Sequence, residues 1–280
     1  MIVFARDRLQ KRFTASPRRD APTVTVVSPH FDDLALSLGQ SLRNGALATC
    51  LVRERVVFGR SSWTEWARPL PERSTAVSIW RRGEEVAASV MFGFDWTAAN
   101  WQEALLRNGP MSGPQLLNAQ IDLSQDPLIL EIADWLQAVS RVAQGPNKAR
   151  PALLLVAAGL GGHIDHRLLA QAAASLVGQL DVPIGFYEDR PYVAYLKQEQ
   201  IETQLSSLGL PLEAVDVSPL VQASTQAATR LCYPSQMKPF FSEAMDLDRL
   251  NGARERVWFP VGTCPDWFWS RSGTSSSAVS

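Results

Sequence analysis

The sequence predicts an α/β protein, Rossmann-like, with a mostly parallel sheet and helices on both faces. Three observations predict it. The runs Thr23–Ser28 (TVTVVS) and Pro151–Ala158 (PALLLVAA) are uncharged, aliphatic or β-branched and of strand length, as expected of strands buried on both faces. Each runs through a short turn into a stretch of helical periodicity. Strand-like and helix-like segments then alternate along the chain, which is the pattern of a doubly wound sheet.

The elements follow in order. Leu34–Leu42 reads as the helix after the first strand, with Asp32 or Asp33 as its N-cap. Ala46–Phe58 reads as a second strand, and Ser61–Glu72 (SSWTEWARPLPE) as a Trp- and Pro-rich loop. Ser74–Phe92 is a long helix stopped by Gly93. Asp95–Gln125 has no clear period and is expected to hold a short helix near Trp101–Arg107. Pro127–Val142 is an amphipathic helix and Gln144–Arg150 a turn. After the strand Pro151–Ala158 and the glycines of Gly159-Leu160-Gly161-Gly162 comes a helix over Asp165–Val177, then a strand over Val182–Tyr187. Pro219–Leu231 is a last helix, with Ser218 at the cap and Pro219 at the first helical position. Trp80, Trp135 and Trp258 are expected in the core.

With 280 residues, no internal repeat and no clear linker, the chain is expected to form one domain over 21–269. It would be preceded by a basic extension over 1–20 and followed by a disordered Ser-rich tail over 270–280. Hydrophobic residues make up 46% and charged residues 20%, and the net charge is -1. That balance gives no electrostatic reason for a nucleic-acid partner. No apolar run is long enough to span a bilayer. The extension lacks the apolar stretch of a secretory signal, so a cytoplasmic protein is expected. Cys50, Cys232 and Cys264 match no metal knuckle and no redox motif and read as reduced thiols.

The chemistry concentrates in two short segments. The three histidines of the chain are His30, in Pro29-His30-Phe31-Asp32-Asp33, and His163 and His166, in His163-Ile164-Asp165-His166. Each segment carries acid, follows a strand and opens a helix. In an open parallel sheet such turns gather at the carboxyl edge of the strands, where ligands bind. Histidine and aspartate are the usual ligands of catalytic zinc, which takes three from protein and leaves a place open. Two segments far apart in sequence would therefore bring a His/Asp metal site to one crevice.

These residues resemble the PIG-L / LmbE-like deacetylases, whose hallmark is a His-x-Asp-Asp turn after the first strand and a later His-x-Asp-His turn. The resemblance runs from about Val24 to Trp258. It continues through Arg81…Glu84…Ala88…Phe92-Gly93, Tyr187-Glu188-Asp189-Arg190-Pro191-Tyr192, Tyr233-Pro234-Ser235-Gln236 and Glu255-Arg256-Val257-Trp258. It implies that His30, Asp33 and His166 hold the metal, zinc or another divalent ion such as ferrous iron. It also implies that Asp32 is the general base towards a metal-activated water, that His163 is the second catalytic group, and that Asp165 orients a neighbouring imidazole. The implied reaction is hydrolysis of the acetamide of a small acetylated amino sugar, in secondary-metabolite or glycoconjugate biosynthesis. The rival readings are a metal-dependent amide hydrolase acting on a non-sugar metabolite and an idle binding protein that keeps the fold.

The commonest form of the first motif has Pro between His and the Asp pair and Glu after it. Phe31 and Leu34 stand at those positions, from which an altered substrate fit is expected. Arg81 matches a position near the substrate, where it would bind a hydroxyl or phosphate; the alternatives are a solvated helix charge or a salt bridge to Glu84 or Glu85. Trp63 and Trp66 are candidates for a lid or rim over a sugar ring. Glu188 is a candidate substrate contact, and Glu188 and Asp189 could equally support the ligands or cap the strand. No membrane partner is expected, and homo-oligomerisation is left open.

Overall fold

The computed structural model describes residues 21–62, 74–109, 111–118, 120–144, 150–271 and 278–279. The strands are β1 (Thr23–Ser28), β2 (Leu51–Val56), β3 (Asp95–Ala98), β4 (Ala152–Ala157), β5 (Ile184–Tyr187), β6 (Leu212–Asp216), β7 (Arg256–Pro260) and β8 (Ala278–Val279). They form one sheet in the order β3-β2-β1-β4-β5-β7-β6-β8. The first five strands pair in parallel. β7 then joins β5 antiparallel, and β6 and β8 extend that edge, so the sheet is mixed on one side.

The helices are α1 (Asp33–Asn44), α2 (Ser74–Phe92), α3 (Ala104–Arg107), α4 (Gly113–Leu116), α5 (Leu128–Gln144), α6 (Ile164–Ser175), α7 (Gln198–Ser206), α8 (Ala223–Cys232), α9 (Pro239–Leu250) and α10 (Asp266–Trp269). α1, α2 and α8 pack on one another, while α5 and α6 pack together against β4. Two helical layers thus cover the sheet, as right-handed crossovers between parallel strands require. The sheet itself is the core: Val24, Val26, Leu153, Leu154, Leu155 and Val156 are fully buried.

β1 lies between β2 and β4. From β1 the chain winds outwards to β2 and β3, and from β4 it winds the opposite way to β5. The reversal falls between β1 and β4, and it opens a crevice at their carboxyl ends. The turns that leave these two strands are the two His/Asp segments.

The second strand is shorter than expected, beginning at Leu51 rather than Ala46. Ala46 is drawn to Val217 by a backbone hydrogen bond of 2.8 Å, and Ala48 and Cys50 close turns on Gly45 and Leu47. The last expected helix begins at Ala223 instead of Pro219. Residues 218–220 instead form a bend, pinned on either side where the Ser218 hydroxyl accepts the Glu255 N–H and the Val221 N–H bonds the Ala253 carbonyl. Trp258 is fully buried and Trp135 packs half-buried against the core, but Trp80 is 52% exposed, contrary to expectation. Trp63, Trp66 and the 1–20 extension lie outside the described residues. No helix among the described residues is long and apolar enough to cross a membrane.

The glycine turn after β4 is dictated by space. Gly161 has φ +82°, and a Cβ there would lie 2.2 Å from the Cβ of Tyr192. Gly161→Ala should therefore lower unfolding stability by about 1–3 kcal/mol, the usual cost of a residue forced into this region. Denaturant unfolding checks it, and an unchanged midpoint would show that the turn relaxes freely.

Candidate metal centre

The first turn is tied by its own side chains. The Asp33 Oδ2 accepts the His30 backbone N–H at 2.7 Å, folding the carboxylate back over the turn at the start of α1. A helix N-terminus favours negative charge at that position. Asp32 takes the N-cap position but makes no side-chain cap. Its φ of 98° is the one positive value among the described non-glycine residues, a conformation that costs on the order of 1–3 kcal/mol and that clusters at functional sites. The Arg81 guanidinium holds it there, donating to Asp32 Oδ1 at 2.7 Å and to the Phe31 carbonyl at 2.6 Å.

Three donors converge between the two turns. His166 Nε2 lies 3.3 Å from His30 Nδ1 and 3.5 Å from Asp33 Oδ1, and His30 Nδ1 lies 3.5 Å from Asp33 Oδ2. Two ligands held about 2.0–2.1 Å from a tetrahedral ion stand roughly 3.3 Å apart, so the spacing fits a first-row divalent metal. The outward nitrogens are also held. His166 Nδ1 meets Asp189 Oδ1 at 2.6 Å, and His30 Nε2 meets Asp165 Oδ2 at 2.9 Å. A carboxylate on the far nitrogen of a ligating imidazole fixes its tautomer and orientation. Asp165 is in turn held by Arg107 at 2.7 Å and by the Ala104 N–H at 3.0 Å. The donor set and its supports therefore fit a metal.

Electrostatics separates the groups. Burial alone would lower the His30 pKa, but Asp165 and Asp33 outweigh it and raise it to about 10. Burial likewise works against the charged form of His166, and Asp33 and Asp189 outweigh it and raise that pKa. Burial pushes the Asp32 carboxyl up to about 7 against the pull of Arg81. Burial, with the neighbouring His166 and His30, holds His163 well below the usual imidazole range. His163 Nδ1 accepts the Asp165 N–H at 3.2 Å, so the neutral ring carries its hydrogen on Nε2.

These groups open on a cavity of about 230 Å³, whose wall includes His30, Asp32, Asp33, Arg81 and His163 together with Leu105, Leu116, Tyr192, Gln236 and Phe241. A wider groove of about 600 Å³ between α6 and α7 contains none of the converging donors; chemistry, not size, marks the site.

Several expectations are corrected. Glu188 does not line this cavity: its carboxylate accepts from Trp258 Nε1 at 3.2 Å and pairs with Arg190 at 3.6 Å. Asp189, the next residue, supports His166 instead. Arg81 lines the cavity, but its charge is committed to Asp32 rather than to Glu84 or Glu85. Phe31 and Leu34 are fully buried and do not line the cavity. Arg107, which anchors Asp165, lies in the segment without readable periodicity, and no sequence signal pointed to it.

No family model matches the chain. The 2'-N-acetylparomamine deacetylase of Streptomyces fradiae is 31% identical to it over 205 residues, covering 70% of this chain and 68% of the relative. Among solved structures, a deacetylase–teicoplanin complex from teicoplanin biosynthesis superposes with a TM-score of 0.61 at 22% identity, covering 85% of this chain and 97% of the other. The zinc-inhibited form of the teicoplanin deacetylase Orf2 gives 0.59 at 22%, covering 84% and 97%. By fold, then, the protein is an α/β protein of the architecture seen in these deacetylases, with a candidate metal centre at the switch point of its sheet. By sequence, it belongs to the deacetylase family represented by the Streptomyces fradiae enzyme.

Two measurements check the centre. Asp189→Asn should weaken zinc affinity about 10- to 100-fold, the usual effect of removing such a support, and competition with a chromophoric chelator reads it. Protons and metal compete for the nitrogens of His30 and His166, whose pKa values are raised, so zinc affinity should climb as pH rises through neutrality. A pH-independent affinity would exclude these imidazoles as ligands.

Proposed function

We propose that the protein is a zinc-dependent N-deacetylase of the PIG-L / LmbE-like type. It hydrolyses the acetamide of a small, hydroxyl-rich amino sugar to acetate and a primary amine, in secondary-metabolite biosynthesis. One observation carries the reading: a deacetylase-family chain joins three converging metal donors, His30, Asp33 and His166, to a carboxylate outside that set, Asp32, in one cavity. The substrate class follows the relative named for an acetylated amino sugar.

An amide requires an activated nucleophile, a stabilised oxyanion and a proton for its poor leaving group. When bound, zinc supplies a Lewis acid that polarises the carbonyl and acidifies the attacking water. Asp32, with its pKa near 7, is matched to take the water proton at neutral pH and to return it to the departing nitrogen. Arg81 engages Asp32 Oδ1 and keeps the carboxylate from turning away. His163, neutral and protonated on Nε2, donates a hydrogen bond to the developing oxyanion. Asp165 steadies both imidazoles, His30 through its carboxylate and His163 through its backbone N–H. No thiol need act: burial pushes Cys50 and Cys232 up to about 11 and Cys264 up to about 12, and none lines the cavity.

The test is release of acetate and primary amine from a panel of acetylated amino sugars by enzyme of measured metal content. Asp32→Asn should lower turnover about 100-fold or more, the scale of general acid–base catalysis, while retaining zinc. Asp33→Ala should lose the metal itself. The wild-type rate should rise with pH as Asp32 loses its proton, and Asp32→Asn should lack that limb. Loss of metal from Asp32→Asn together with retention in Asp33→Ala would reverse the two roles. Stoichiometric iron would replace zinc, a possibility that two histidines and one carboxylate allow.

A further inference from the structure

α2 is built inside out. Its four charged residues turn away from solvent: Arg81, Glu84 and Glu85 are buried and Arg82 is half-buried. None of its exposed positions carries a charge. Ile79 is 65% exposed, Val86 52%, Val90 43% and Met91 39%. A helix on the surface of a monomer shows the opposite arrangement.

The exposed residues are also in register. Ile79, Gly83, Val86 and Val90 are spaced 4, 3 and 4 apart, which draws one straight stripe along a helix and is the spacing by which helices pack on helices. Gly83 lies mid-helix in this stripe, and a Cβ built there meets nothing within 4 Å. Glycine weakens a helix interior, and its use in an open position fits close approach by another backbone. The neighbouring α8 repeats the pattern, with Ala223, Ala227 and Leu231 exposed four residues apart and Leu231 72% exposed.

We infer that two copies of this chain associate through α2 and α8, each copy's stripe packing on the other's to make a four-helix interface around a two-fold axis. A second copy is favoured because the face carries no charge for which a different partner would supply the complement. An uncharged apolar face complements itself, as an isologous interface must. Six of the twelve large hydrophobic residues that stand exposed among the described residues, Ile79, Trp80, Val86, Val90, Met91 and Leu231, lie on these two helices. A lipid surface suits the face less well, since interfacial helices display a cationic polar side to the headgroups and the charged side of α2 is turned into the protein.

Sedimentation of the full chain at micromolar concentration should show a species of two chains. Val86→Arg and, separately, Val90→Glu should each convert it to single chains, with far-UV circular dichroism, melting temperature and bound zinc unchanged. Both positions are exposed, so the folded chain should tolerate either change. A wild-type chain that sediments alone overturns the inference, whether it stays in solution or binds phosphatidylcholine vesicles. A two-chain species that survives both substitutions overturns it as well, because the contact then lies elsewhere.

Discussion

The hydrogen bond between His30 Nε2 and Asp165 Oδ2 crosses the site from one turn to the other, joining residues 135 apart in sequence. Without it, the turns after β1 and β4 would be neighbours only because their strands are. With it, the acid of the second motif aims the histidine of the first, and His166 of the second motif closes on Asp33 of the first. The donor set is therefore shared between turns and formed only when β1 and β4 are side by side. The switch point of the sheet supplies that adjacency, and the fully buried strands beneath it keep the spacing fixed.

The same logic explains the inverted α2. Its inward charges are expensive to bury unless each is paired, and each of the buried ones has a partner. Arg81 holds Asp32, Glu84 accepts both the backbone N–H and the hydroxyl of Ser235, and Glu85 accepts the Tyr233 hydroxyl at 2.9 Å. These contacts fasten Asp32 and the segment Tyr233–Gln236, which reaches the cavity wall through Gln236, to one helix. A helix that spends its polar side on the site has only apolar residues left to show outwards.

The centre of the parallel half was legible because burial on both faces leaves β1, β4 and β5 uncharged, and because glycine and the aspartates mark their ends; β3 (DWTA), with an acid and two exposed positions, was not read as a strand. Ser74–Phe92 was readable to the residue for the same reason, with Gly93 at φ +80° as its stop. The antiparallel edge was not. β6 (LEAVD) contains two acids and β7 (RVWFP) is short and ends in proline, so neither shows a strand pattern without its neighbours. Within the site, the histidines and their acids were visible because three rare residues fell into two short motifs. Asp189 could be weighed but not assigned, since Glu188 beside it is chemically equivalent in sequence; only the direction in which each leaves β5 separates them. Arg107 had no motif at all.

Arg107 also shows how the irregular stretch before α5 is tied to the two His/Asp turns. Leu105, Met111 and Leu116 from this stretch line the cavity. Through Arg107 and the Ala104 N–H, the same segment supplies two of the bonds that fix Asp165, and with it the far nitrogen of His30. Arg107 is itself seated by its hydrogen bond to the Gln102 carbonyl and by lying 4.8 Å from the centre of the Phe58 ring. A change in the wall that shifts this backbone will therefore be felt at His30, two hydrogen bonds away. The cavity wall and the orientation of His30 thus depend on one stretch of chain, and substitutions at 105, 111 and 116 preserve that orientation only as far as they leave Ala104 and Arg107 in place.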